Sequence, residues 1–143
     1  MFRNRFRAAC VPLLCLAVIS SGPVVAAEPA PSLVRWVEVD GGVWTVPPAV
    51  LAAMAAGLQA EADRHWGMGR RRPLGDYTIQ YQGQRKDGLR SVRLGGACTS
   101  AGVEVEELKK RFRLVFDGGT CFFEATYDPE QGRFLEFSFH GYA

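Results

Sequence analysis

The side chains of this 143-residue chain best suited to chemistry are its four cysteines, its two histidines and a cluster of arginines. Cys98 and Cys121 lack the spacing of a thioredoxin-type redox pair, whose cysteines stand two residues apart. They also lack the roughly four clustered ligands of a zinc site. A structural disulfide is the expected reading, with a free or catalytic thiol as the alternative. Strand alternation puts Cys98 on one face with Val92 and Leu94, and Cys121 on one face with Phe123, Ala125 and Tyr127, so both sulfurs are expected to point into a core. Closing a loop of just over twenty residues contributes about 3 kcal/mol in the chain-entropy picture, a large share of a small domain's total of about 5–15 kcal/mol.

His65 and His140 are the candidate general bases. Ser138, His140 and Glu136 have the residue types of a hydrolase triad. Alternate residues on one strand face nevertheless stand about 7 Å apart, too far to hydrogen-bond in series. No nucleophile elbow, phosphate-binding glycine loop or metal-binding histidine pair occurs, so no catalytic residue, cofactor or metal is expected. Seven cations lie between residues 70 and 93, at Arg70, Arg71, Arg72, Arg85, Lys86, Arg90 and Arg93, against Asp76 and Asp87. Such a patch could steer an anionic partner such as an acidic protein surface, lipopolysaccharide or a glycan. A solvated, solubilising face is the competing reading.

The first 27 residues have the character of a cleaved signal peptide: Arg3, Arg5 and Arg7, then an uncharged run from Ala8 to Ile19, then small residues ending at Ala27. The run is shorter than the roughly 20 apolar residues of a membrane span. Cys10 and Cys15 would leave with this leader, and Leu14 before Cys15 argues against lipidation. Without the three leader arginines, fourteen basic residues face fifteen acidic ones, all at or after Glu28, so the mature chain is close to neutral and nucleic-acid binding is not expected. One asparagine, two isoleucines and three lysines amid abundant alanine, glycine and arginine match the output of a GC-rich bacterial genome. Periplasmic or secreted localisation follows, and two cysteines in an oxidising compartment usually pair.

Residues 28–143 read as a single α+β domain: one long helix on an antiparallel sheet of four to six strands, closed by one disulfide. Leu33–Val39 and Val43–Val46, joined by Asp40-Gly41-Gly42, predict a hairpin. Pro47 and Pro48 open a helix over Ala49–Trp66, with Leu51, Met54, Ala55, Leu58, Ala62 and Trp66 as its apolar stripe and Gln59, Glu61, Asp63 and Arg64 opposite. Tyr77–Gln82 predicts a strand, Gly83–Gly88 a turn, and the residues up to Cys98 a second strand. Thr99–Lys110 reads as a loop with a short helical turn. Phe112–Phe116, Cys121–Tyr127 and Phe134–Phe139 predict two consecutive hairpins.

A helix followed by such a meander resembles the cystatin arrangement, and Gln80-Tyr81-Gln82-Gly83 before a turn is similar to the cystatin protease-binding loop. That loop's central valine and the proline-tryptophan pair of the second loop are absent, so the resemblance is one of topology. The expected function is that of a small exported binding protein: an inhibitor, an immunity-type partner or an accessory subunit contacting another envelope or secreted protein or an anionic surface. The alternatives are a small enzyme using His140 or His65 and a self-associating envelope protein.

Overall fold

A computed structural model describes residues 34–67, 71–102 and 104–141. The leader, Leu33, Arg70 and Val103 lie outside the described residues. Among those described, the strands are β1 (Arg35–Glu38), β2 (Tyr77–Lys86), β3 (Leu89–Cys98), β4 (Phe122–Asp128) and β5 (Arg133–Phe139), and the helices are α1 (Pro48–His65) and α2 (Val105–Lys110). The strands form one mixed sheet in sequential order, with β1 parallel to β2 and every other pair antiparallel.

The expected first hairpin is absent. Val43–Val46 forms no strand, and β1 pairs in parallel with β2. Parallel neighbours need a long crossover, which α1 supplies. The chain after the Asp40–Gly41 turn instead lies across β2. Val43 N donates to Gly83 O, and the Trp44 indole donates to the carbonyls of Gln84 and Ser91 at 2.9 and 3.1 Å. Trp44 comes so close that a Cβ on Gly83 would meet its carbonyl oxygen at 2.1 Å. β2 and β3 also run further than expected, because the turn is only Asp87–Gly88. Both residues have positive φ, 51° and 81°, the signature of a two-residue hairpin turn.

α1 begins as the tandem prolines predict. Its first amides are served by Pro47 O, which accepts from Val50 N and Leu51 N. Met54, Leu58 and Ala62 are buried against the inner sheet face, in a core with Ile79, Val92, Leu94, Phe123 and Phe137. Leu51, Ala55 and Trp66 are half-buried at its rim. Glu61, expected on the solvent side, is buried instead and faces Arg64 and His65. Burial of a carboxylate is tolerable there because it is ion-paired.

The outer face is partly covered, which is why Thr78 and Gln80 are buried. The chain from Leu108 to Arg113 lies on it. Phe112–Phe116, expected to be a strand, forms none: it joins no strand ladder, and its Arg113 amide is taken by a side chain. Gln80 Nε2 donates to Leu108 O and Arg111 O at 2.6 and 2.7 Å, and its Oε1 accepts from Arg113 N at 2.9 Å.

Replacing Gln80 with alanine leaves three main-chain groups without that partner. It is expected to lower unfolding free energy by about 2–4 kcal/mol in urea titrations, with Thr78→Ala on the same face costing less.

Candidate functional site

β3 and β4 are adjacent antiparallel strands, with Ala97 opposite Phe122. The connection between them nevertheless runs through more than twenty residues, whereas most hairpin loops have about 2–5. The Cys98–Cys121 disulfide closes this loop at its base, with the Cα atoms 4.9 Å apart and a sequence separation of 23. The Tyr77 hydroxyl adds a hydrogen bond to Thr120 O.

The loop leaves β3 through a 3-10 turn at Thr99–Ala101 and enters α2. Glu106 and Glu107 occupy the first turn of α2, and Lys109 and Lys110 its last, each charge opposing the dipole end nearest it. Hydrogen bonding and attraction from Lys110 hold the Glu107 carboxyl below its ordinary 4.5. Leu108 is the residue of α2 that is buried, and Lys109 O accepts from Asp40 N at 2.8 Å. Helix α2 is thereby tied to the end of β1.

Beyond α2 the Gln80 amide fixes the main chain, and Phe112 lies against Gly95 with the Arg93 guanidinium 4.3 Å from its ring centre. Arg113 stacks over Phe122 at 5.4 Å. Gly118 and Gly119, at φ of 104° and 56°, turn the chain back, and Gly119 N donates to Gly141 O at 3.1 Å. The stretch between these anchors carries Leu114, 70% exposed, and Phe116, 95% exposed. A groove of about 550 Å³ flanks Leu114, with Glu104, Leu108, Arg111, Phe112 and Arg113 among its walls. A second, of about 410 Å³, lies between Phe116 and the end of β5 and reaches Glu124, Ser138 and His140.

The basic residues fall into separate groups. Lys86 meets Glu136, Arg90 lies 3.6 Å from Glu130 and Arg93 lies 3.3 Å from Glu124, while Arg85 donates to Gly88 O. Arg71 is exposed and Arg72 half-buried, just before β2 begins. That end of β2 is about 30 Å from Arg85 and Lys86 at 3.3 Å per residue. Lys86 and Glu136 stand on strands separated by two others, so their contact requires the sheet to curl toward its outer face, enclosing a polar hollow of about 330 Å³.

His65 sits at the end of α1 with its ring 5.1 Å from that of Phe137 and Nδ1 3.0 Å from Glu61 O. The His140 amide continues the β4–β5 ladder by donating to Phe122 O. Glu136 faces Lys86 and Thr126, so no hydrogen-bonded chain joins it to Ser138 and His140 among the described residues. Gln80-Tyr81-Gln82-Gly83 lies inside β2 rather than in a loop. Sequence reasoning missed Gln80, Leu114 and Phe116. The signal for the last two was the length of chain enclosed by the expected disulfide.

Lys86 pulls the Glu136 carboxyl below its ordinary 4.5 through a hydrogen bond and its charge. A depressed folded-state pKa gives a contribution present above that ordinary value and lost as pH falls through the lowered one. Carbon-detected NMR titration should therefore find a Glu136 midpoint below 4.5 that returns upward in Lys86→Ala. Comparison with family models, curated protein sequences and solved structures finds no match to this chain.

Proposed function

We propose that the chain is an exported contact protein, residues 1–27 being its leader, that docks on another macromolecule of the envelope or exterior through the tip of its disulfide-closed loop. The observation that carries this reading is the exposure of Phe116 and Leu114, 95% and 70%, on a backbone braced by the Gln80 amide and closed by a disulfide. Large apolar side chains held clear of a protein's own surface gain nothing from folding. A partner that buries them gains about 1.5–3 kcal/mol for each side chain.

Bracing supplies the second half of the argument. A loop already ordered before contact avoids an ordering cost of about 0.5–1.5 kcal/mol per immobilised side chain. Aromatic anchors presented this way are typical of the few residues that dominate an interface. The disulfide is compatible with the oxidising compartment such a role implies. Among the described residues no helix is long and apolar enough to cross a membrane.

The arginine-rich segment supports a narrower role. Within it Lys86, Arg90 and Arg93 are ion-paired and Arg85 donates to Gly88 O, whereas exposed Arg71 and half-buried Arg72 have no carboxylate partner among the described residues and remain available to an anionic surface.

Pull-down from envelope and culture-supernatant fractions tests the reading. The oxidised protein is expected to capture a partner, Phe116→Ser to lose at least tenfold of that capture, and Arg71→Glu with Arg72→Glu to retain most of it. Equal capture by Phe116→Ser would refute the loop as the contact element. Removing the disulfide by Cys98→Ser with Cys121→Ser should lower thermal and urea stability by about 3 kcal/mol and weaken capture in parallel.

A further inference from the structure

We infer that one occupant of the loop tip is a second copy of this chain, each protomer's Phe116 entering the groove beside the other's Leu114. The inference rests on the contact reading above and names a partner for the same site. Its basis is a juxtaposition within one loop: an apolar prong, Phe116, stands two residues from Leu114, which with Leu108 and Phe112 lines a groove of about 550 Å³. Prong and groove on neighbouring parts of one surface are what a two-fold axis requires, since an isologous interface pairs a patch with itself. An axis passing beside the tip lets both phenyl rings be buried at once.

The charges agree with that symmetry. Glu104, Arg111 and Arg113 are among the residues that line the groove, and none of the three has an ion-pair partner among the described residues. Glu106 and Glu107, by contrast, are engaged by Lys109 and Lys110. A two-fold axis that sets Glu104 of one copy against Arg111 or Arg113 of the other would pair these charges, and such pairs across an interface set its register. The apolar part of the contact is small, with Leu114 and Phe116 its exposed members, so the association is expected to be weak and reversible, in the range of low-area interfaces of less than about 1,200 Å².

Sedimentation equilibrium of the oxidised protein, from about 1 µM to about 1 mM, reads the prediction directly. The mass should rise from monomer toward dimer over that range. Phe116→Ser should raise the dissociation constant at least tenfold, about the effect of removing a central aromatic anchor. Arg113→Glu should also weaken association, and high salt should weaken that of the unchanged protein. Circular dichroism checks that both variants keep the fold. A protein monomeric at the highest concentration, or a Phe116→Ser variant that associates as the parent does, overturns the inference. A monomer that still captures a different protein through Phe116 would overturn it while leaving the contact reading intact.

Discussion

The amide of Gln80 reaches from the middle of β2 to three main-chain groups of the segment that crosses the outer sheet face. Much of what distinguishes this domain from a plain helix-on-sheet fold follows from that contact. A buried amide must find partners, and an irregular segment laid over a sheet must have its own amides and carbonyls satisfied. Each requirement meets the other here. The segment is thereby held in one place without becoming a strand, and Phe112 can settle on Gly95 beneath Arg93.

The disulfide and Gln80 act at different points of the same loop. Cys98–Cys121 ties its two ends, and the amide ties its middle to β2, so the free length between anchors is short. Leu114 and Phe116 occupy that short span, both exposed. The inner face needs no such device. There Met54, Leu58 and Ala62 of α1 cover Ile79, Val92 and Leu94 through ordinary apolar packing, with Phe123 and Phe137 stacked at 5.1 Å to complete the layer.

What the sequence made legible follows local rules. The alanine-rich helix after Pro47-Pro48, the disulfide, the short helical turn after Thr99 and the β4–β5 hairpin all express periodicity, proline chemistry or cysteine spacing. What it hid depends on partners distant in the chain. Val43–Val46 has strand composition, yet Trp44 is drawn to the carbonyls of Gln84 and Ser91, forty or more positions away. Phe112–Phe116 alternates like a strand, yet its Arg113 amide bonds to the side chain of Gln80, more than thirty positions away. A strand rich in apolar residues does not announce which neighbour it pairs with, so the parallel register of β1 was equally out of reach. The candidate site was harder still to read. Neither the exposure of Phe116 nor the ion pairing that divides the arginines has a local signature.

The central claim is that the loop is rigidly braced with its apolar residues in solvent, and backbone ¹⁵N relaxation of the oxidised protein tests it most directly. The account predicts order parameters for Arg113, Leu114 and Phe116 close to those of β2 and β3, about 0.85, with slow exchange of the Arg113 amide that Gln80 binds. Values below about 0.6 across residues 111–117, or fast exchange at Arg113, would mean that the clasp does not hold the loop and would contradict the account.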